Sequence, residues 1–514
     1  MTVIEIRALT TALIVVLTAP PLVFAADVKN LFSDGVEAHW KLDLDRAIQL
    51  YTSALANDPN NARAYFNRGV AFRAKGQEDR ALADFNQAVS KDPNLVDAVY
   101  GRGAIYLNKK VYDKAAEDMS RVLNMEPNHA GARRIRGEAE FALGHEDSAI
   151  LDLSQALKSD PDDSAAYFMR GMAHQKRKAQ DKALSDFNKA VELDPNNAKA
   201  FLKRGNLLFT EGKIDQAIES YNRTITLEPG NSEALTNRGW ARASMDSLKD
   251  AVSDLSRSLE INPESPLALS NRAQVYIRMG LKDEAVADYS RLLTLKKDDA
   301  GIYFERGRLL LDLGKYEGAE KDFSRALSIM PDAPSIMGLR GQARVLANRC
   351  DEGIPDLTAA LEADPNDVRA LLSRASAYEA TKRYSQAIAD LSAAIKLDSK
   401  TAGLDAQYAL GKNLLLKGEF ERAIEAFSKV IEMQPSNGLA YANRGVARKE
   451  RGELVPAAED FRKALTFLKE AARLKTVGAL LRDTETLLRA ASGTSALSGH
   501  PSDPETLTTE KKFW

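Results

Sequence analysis

The chain of 514 residues contains a single cysteine, Cys350. No disulfide can therefore form within it, and its stability has to come from burial and polar contacts alone. Lone cysteines are most often small packed side chains, and we interpret Cys350 in that way rather than as a reactive thiol.

An excess of charge of either sign is also missing. The chain has 71 basic and 73 acidic residues, which gives a formal net charge of -2. Proteins that bind nucleic acid usually carry a clear basic excess, so we expect no nucleic-acid partner.

The residue patterns that enzymes and metal sites require are absent as well. The five histidines never occur as a close pair, and one cysteine cannot complete a zinc site. Neither a G-x-x-x-x-G-K-[ST] phosphate loop nor a G-x-S-x-G nucleophile elbow is present. We therefore expect no cofactor, no metal and no catalytic activity.

Only one apolar run precedes the regular part of the chain, and it is short. It extends from Ala8 to Ala19, is followed by Pro20 and Pro21, and leads into Val23-Phe24-Ala25. A membrane span needs about 20 apolar residues, whereas a secretory signal needs fewer, followed by small residues at the cleavage site. We interpret residues 1–25 as a cleaved signal peptide, with a retained anchor as the alternative. The protein is then exported, periplasmic or secreted, without a stable membrane span.

Small residues recur every 34 positions through the rest of the chain. A second series of small residues follows twelve positions after the first, and a two-residue insertion between Ser399 and Gly403 shifts both. The first series is Gly35, Gly69, Gly103, Gly137, Gly171, Gly205, Gly239, Ala273, Gly307, Gly341, Ala375, Gly411 and Gly445. Thirteen units therefore share one plan, which is typical of stacked helical hairpins.

The second repeat, which begins at Ala62, shows the design. Tyr65 and Phe72 have helical spacing, as do Leu82, Phe85 and Val89 in the next segment. Gly76 separates the two segments, and Pro93 ends the repeat because proline cannot continue a helix. Each repeat is thus predicted to be two helices joined by a short turn.

This pattern closely resembles the tetratricopeptide repeat family, which has small residues at repeat positions 8 and 20 and proline at position 32. The resemblance covers residues 28–471, although Lys297, Ser399 and Lys469 replace the proline. It implies an all-α fold, an α-solenoid superhelix of thirteen 34-residue helix-turn-helix repeats.

After the last repeat the pattern ends. Residues 472–491 contain an amphipathic stretch in which Val477, Leu480, Leu481, Leu487 and Leu488 can cover the last hairpin, and we interpret them as a capping helix. Residues 492–514 are rich in Gly, Ser, Thr and Pro, which predicts a disordered tail.

Arginine at position 7 and aspartate at position 23 occur together in ten repeats. Arg68 with Asp84 and Arg238 with Asp254 are two of these pairs. Repeats one and twelve lack both residues, and only repeat six has the arginine without the aspartate. Because the two residues appear and vanish together within a repeat, we predict that they pair within one hairpin and are structural.

In the family that the chain resembles, positions 2, 5, 6, 9 and 12 of each first helix line a concave groove; we call them the groove face. Charges of both signs occur there, including Arg308. Aromatic residues occupy position 5 in five repeats: Phe66, Tyr100, Phe168, Phe304 and Tyr408. These rings are candidates for partner binding, and half-buried packing is the alternative.

The most concentrated candidate site lies in repeats six to eight. Asn206, Asn237 and Asn271 come from three successive first helices, and Trp240 is close to them in sequence. An asparagine amide can donate to a peptide carbonyl and accept from a peptide N–H, so a row of them suits an extended chain.

These features predict a non-enzymatic scaffold that binds protein or peptide partners on its groove face. Only about forty residues follow the repeats, too few for a catalytic domain. The alternative is a cell-envelope or polysaccharide export and assembly factor, because groove aromatics also suit stacking on a glycan.

Overall fold

The computed structural model describes residues 28–491. The predicted signal peptide at residues 1–25 and the predicted disordered tail at residues 492–514 lie outside the described residues. Within residues 28–491 the chain forms 27 helices and no strand, which confirms the predicted all-α class of helix-turn-helix repeats. Over this same range, none of the helices combines the length and the hydrophobicity that a membrane crossing requires.

The described chain divides into two compact units, the first ending at Asp246 and the second starting at Ser247. The division falls inside repeat seven, so its two helices belong to different units. The helices of the first unit are α1 Val28–Trp40, α2 Leu44–Asn57, α3 Ala62–Ala74, α4 Glu78–Lys91, α5 Val96–Asn108, α6 Tyr112–Met125, α7 Ala130–Leu143, α8 Glu146–Ser159, α9 Ser164–Lys176, α10 Gln180–Leu193, α11 Ala198–Thr210, α12 Ile214–Leu227 and α13 Ser232–Ser244.

The second unit continues the same alternation of first and second helices. Its helices are α14 Leu248–Ile261, α15 Pro266–Arg278, α16 Lys282–Leu295, α17 Ala300–Asp312, α18 Tyr316–Ile329, α19 Pro334–Leu346, α20 Cys350–Ala363, α21 Val368–Ala380, α22 Tyr384–Leu397, α23 Ser399–Lys417, α24 Phe420–Met433, α25 Gly438–Glu450, α26 Leu454–Phe467 and α27 Ala471–Ala491.

Many first helices begin at a polar side chain that satisfies a free backbone N–H group. Asn61 accepts a hydrogen bond from the N–H of Ala64, and Asp163 accepts one from Ala166. Asp299 accepts from Gly301 and Ile302 in the same way. Asn61, Asp163 and Asp299 are therefore helix caps.

The small residue at position 8 makes room for a large side chain from the other helix of its hairpin. A Cβ atom on Gly69 would lie 2.8 Å from the ring of Phe85, which is 1% exposed. The same arrangement holds between Gly171 and Phe187 and between Gly307 and Phe323. Position 8 is thus small because a buried side chain at position 24 lies directly on the helix backbone.

Neighbouring hairpins share a core within each unit. Val89, Val99, Met119, Val122 and Ile135 form one buried cluster that joins repeats two, three and four. Burial between neighbours, at about 25 cal/mol per Å² of apolar surface, is therefore the main stabilising term for each repeat.

The insertion that the sequence places near residue 400 is a kink in α23. Gly403 has φ 59° and ψ -159°, which breaks the helix, and this left-handed φ strongly favours glycine. The repeat plan resumes at Leu404, so the part of α23 after the kink is the first helix of repeat twelve.

The last helix, α27, packs on the last hairpin. Val477 and Leu480 are buried in one cluster with Tyr441, Phe461 and Ala464, and Leu481 is partly buried beside them. Leu487, which the sequence also offers for this contact, remains 43% exposed.

Candidate functional site

The arginines at position 7 and the aspartates at position 23 form bidentate ion pairs within their hairpins. Nε of Arg68 donates to Oδ2 of Asp84 and Nη2 donates to Oδ1, both at 2.8 Å. Asp84 is 5% exposed, and the hydrogen bonds from Arg68 to it raise the pKa of Arg68. Eight other repeats have the same geometry, with the aspartates Asp118, Asp152, Asp186, Asp288, Asp322, Asp356, Asp390 and Asp460.

A third contact, which the pairing of positions 7 and 23 does not predict, connects most of these arginines to the preceding repeat. Nη1 of Arg68 donates to Oγ1 of Thr52 at 3.0 Å, and Nη1 of Arg306 donates to Oγ of Ser290 at 3.0 Å. The acceptor is always at position 25 of the previous repeat. The signal was visible, because position 25 is Ser, Thr or Asn in each of the first twelve repeats.

Repeats six and seven depart from this pattern. Arg204 has no aspartate opposite, and its Nε donates to Oγ of Ser220 at 3.0 Å instead. Arg238 donates to Oδ1 of Asn222 at 2.7 Å within the first unit. Its predicted partner, Asp254, belongs to the second unit, so the pairing of Arg238 with Asp254 stays a prediction.

On the groove face, the structure brings two of the predicted asparagines together. Nδ2 of Asn237 on α13 donates to Oδ1 of Asn206 on α11 at 2.8 Å. The hydroxyl of Tyr221 on α12 donates to the same oxygen at 3.0 Å. Nδ2 of Asn206 points to Oε1 of Glu233 at 3.4 Å, which is a weak contact.

Tyr221 fixes the direction of this amide pair. The side chain is 1% exposed, and burial raises the pKa of its hydroxyl, so the group stays protonated and acts as a donor. Because the oxygen of Asn206 receives both hydrogen bonds, its amino group faces away from Tyr221. Within the described residues Oδ1 of Asn237 receives no hydrogen bond. The pair thus offers N–H groups as donors and the oxygen of Asn237 as an acceptor. A peptide backbone needs one of each, because it has a C=O acceptor and an N–H donor of its own.

The other two members of the predicted site lie in different surroundings. Trp240 is half-buried on α13, three residues after Asn237. Asn271 is 8% exposed on α15 and belongs to the second unit. Its place beside the other asparagines therefore stays a prediction.

The five aromatic residues at position 5 are all half-buried. Four pack against a ring at position 24 of their own hairpin; the centroid distances are 5.8 Å for Phe66–Phe85, 5.9 Å for Phe168–Phe187, 6.5 Å for Phe304–Phe323 and 5.7 Å for Tyr408–Phe427. Tyr100 packs on His129 at 4.8 Å instead. Each ring has a structural contact within the chain, which leaves only part of its surface for a partner.

Groove-face charges are neutralised within the chain to different degrees. Arg308 is exposed, lies over the Phe304 ring at 5.6 Å and is 3.5 Å from Oε2 of Glu305. Nη1 of Arg134 is 2.5 Å from Oε1 of Glu138, and its Nε is 3.2 Å from Oδ2 of Asp163. Burial raises the pKa of Glu138, although Arg134 lies beside it.

Tyr221 was not identified from the sequence, although a signal exists. Position 24 is Phe, Leu or Met in ten repeats and tyrosine in only three, at Tyr51, Tyr221 and Tyr289. Repeat six combines this tyrosine with asparagine at position 9, which is the pair that meets in the structure. In the part of the chain that the structure describes, no three His, Cys, Asp or Glu side chains are grouped to hold a metal ion.

Comparison with known families agrees with the repeat plan. One family model, described as tetratricopeptide repeat, matches residues 41–96, 69–132, 270–334, 339–401 and 408–472, more than half of the chain. The chain belongs to the tetratricopeptide repeat family. Three other models with the same description match residues 103–173, 164–197 and 187–219.

Solved structures of other repeat proteins are also similar to this chain. YrrB, described as a TPR protein with an unusual peptide-binding site, is 26% identical, with 36% of this chain and 95% of that chain covered and a TM-score of 0.32. PilF of Pseudomonas aeruginosa is 19% identical, with coverage of 41% and 97% and a TM-score of 0.38. The TPR domain of P58(IPK) is 20% identical, with coverage of 77% and 99% and a TM-score of 0.28. No curated protein matches the chain.

Proposed function

We propose that this protein is an exported, non-enzymatic scaffold that binds an extended segment of a partner protein on its groove face. The tetratricopeptide repeat family and the helix-turn-helix fold support a scaffold for protein–protein interactions. The binding surface and the class of partner are the parts of the proposal that the family alone does not supply.

The observation that carries the proposal is the oriented amide pair of Asn206 and Asn237. A structural asparagine satisfies its donors and acceptors within the fold, as buried polar groups generally do. Here the buried Tyr221 holds Asn206 in one orientation, while Asn237 retains a free oxygen. Such preorganisation lowers the entropic cost of binding a peptide backbone. Trp240, on the same helix, supplies an apolar anchor of the kind that dominates binding energy.

A peptide is favoured over a glycan by the packing of the aromatic rings. Stacking on a sugar requires an open ring face. The rings of Phe66, Phe168, Phe304 and Tyr408 each pack against another ring of their own hairpin and are half-buried. The amide pair, in contrast, has hydrogen-bonding capacity that matches a peptide backbone.

The experiment uses a partner captured by crosslinking in the native compartment and then purified. Replacement of both Asn237 and Trp240 by alanine should weaken its binding by about 1 to 4 kcal/mol in total, measured by calorimetric titration. Helix content, measured by circular dichroism, should stay unchanged because both side chains are only half-buried.

The matched control removes a large apolar side chain and an amide from exposed second-helix surface. Leu151→Ala with Asn188→Ala does this on α8 and α10, where both residues are exposed. We expect the control to bind the partner with unchanged affinity. If the Asn237 and Trp240 variant binds as tightly as the control, the groove face of repeats six and seven is not the site.

Export is the second part of the proposal. The apolar run before Val23-Phe24-Ala25 supports cleavage after Ala25. Mass spectrometry of the exported protein should find Ala26 at the amino terminus. An exported protein that keeps Met1 to Ala25 would show a retained anchor instead.

A further inference from the structure

A pocket of about 370 Å³ opens on the groove face between repeats ten and eleven. It lies wholly within the second unit, between α19 and α21. Its lining residues are Gln342, Val345, Leu346, Val368, Arg369, Leu372, Ser373 and Ser376. Four of them are aliphatic, and Leu346 is 48% exposed, so the pocket presents apolar surface to solvent.

The pocket exists because large groove side chains are missing at this junction. Position 12 of repeat ten is Val345 and position 5 of repeat eleven is Leu372. The corresponding positions at the junction of repeats four and five are Phe141 and Phe168. Val345 and Leu372 are smaller than the two phenylalanines at the other junction, and the space between them is not filled by other side chains of residues 28–491.

Arg369 gives the pocket its charge. It occupies position 2 of repeat eleven and is exposed. Within residues 28–491 its guanidinium makes neither a hydrogen bond nor an ion pair. This differs from Arg134 on the same face of the first unit, which contacts two carboxylates. An arginine without an internal partner, beside apolar surface, is complementary to an external carboxylate.

We infer that this pocket binds an aliphatic side chain of a partner protein together with an aspartate or glutamate side chain close to it. Gln342, Ser373 and Ser376 supply donors and acceptors for the intervening backbone. The inference rests on the proposed function, since it names the partner side chains that the groove face of the second unit would select.

The spacing between the two partner residues follows from extended backbone geometry. Side chains of an extended segment alternate, so residues i and i+2 face the same side and lie about 7 Å apart. Both groups must reach one pocket, so the recognised pattern has the aliphatic residue and the acidic residue separated by one position.

The test is a positional library of eight-residue peptides, acetylated and amidated at their ends, incubated with the full chain. The unmodified protein should enrich Leu, Ile or Val two positions from Asp or Glu. Arg369→Gln should lose the acidic preference by about three- to tenfold and keep the aliphatic one. Leu346→Ser, at an exposed position, should weaken the aliphatic preference. The control Lys321→Gln neutralises an exposed cation on α18 and should leave both preferences intact.

Three results would overturn the inference. One is enrichment without this spacing, and another is an acidic preference that survives in Arg369→Gln. The third is retention only of a parallel library with free carboxyl ends, which would assign Arg369 to a chain terminus instead. If retention depends on Asn237 and Trp240 but ignores Arg369, the proposed function stands and this inference fails. If no peptide is retained, both fail.

Discussion

The arginines at position 7 and Arg369 on the groove face carry the same charged group, but only the former are paired within the part of the chain that the structure describes. Arg306 donates three hydrogen bonds, two to Asp322 and one to Ser290, and all of its partners come from the chain itself. Arg369, at a groove position, has no such partner among the described residues. The residue type therefore does not reveal its role. Whether the chain supplies a partner for the charge separates a structural arginine from one available for recognition.

The largest expected effect comes from breaking an internal pair. Asp322→Ala leaves the Arg306 guanidinium without its carboxylate and should lower the local unfolding free energy by about 2 to 4 kcal/mol. The cost stays below that of a fully buried pair because Arg306 retains 21% exposure. Hydrogen exchange of the backbone amides in α17 and α18 measures it.

The control and the extension of this prediction use matched residues. Asp332→Ala removes an exposed carboxylate just after α18 and should change the same value by less than about 0.5 kcal/mol. A double-mutant cycle on Arg306 and Asp322 should show favourable coupling, and the cycle on Arg238 and Asp254 should match it. Coupling near zero in the second cycle would mean that Arg238 has another role.

An intermediate effect is expected from the two groove arginines. Arg134→Gln removes the cation that contacts both Glu138 and Asp163. It should lower the unfolding free energy by about 1 to 2 kcal/mol. Arg369→Gln breaks no internal contact and should change stability by less than about 0.5 kcal/mol. Equal costs for the two variants would contradict the comparison.

The cost of Arg134→Gln should also depend on pH. Burial already raises the pKa of Glu138, so the folded state disfavours its ionised form. Loss of Arg134 raises that pKa further. Stability from such a group is present below its unfolded pKa and is lost as pH rises through its folded pKa. The deficit measured by hydrogen exchange should therefore be smaller at pH 5 than at pH 7.

The smallest effect concerns the contact between repeats. Ser290→Ala removes the acceptor for Nη1 of Arg306 and should cost about 0.5 to 1.5 kcal/mol, because the pair with Asp322 remains. Ser324 occupies the same position 25 in the next repeat but makes no hydrogen bond to Arg340, whose guanidinium contacts Asp356. Ser324→Ala is thus the matched control. If it lowers the unfolding free energy as much as Ser290→Ala does, the hydrogen bond from Arg306 to Ser290 does not stabilise the protein.

The sequence predicts the fold to a large extent because the same residue pattern recurs in each repeat. Small residues at position 8, prolines at position 32 and helical spacing recur often enough to identify the hairpin. The reason for the small residue needed the structure, since Gly69 is small to admit the ring of Phe85. The kink at Gly403 was visible only as an insertion.

The site was less predictable, because it depends on contacts between repeats that differ from one junction to the next. Asparagines at positions 9 and 6 of adjacent repeats were identified, and Asn206 does meet Asn237. Tyr221 was overlooked because position 24 is otherwise an apolar core position. The pocket beside Arg369 depends on what is missing at Val345 and Leu372, and a pattern of recurring residues does not reveal a space.

The most direct test of the account asks which surface touches the partner in the cell. A photo-crosslinking amino acid in place of Trp240 reports on the groove face, and one in place of Leu151 reports on the exposed surface of α8. The account predicts covalent adducts with a partner protein from position 240 and only background from position 151. Adducts from position 151 with none from position 240 would contradict it.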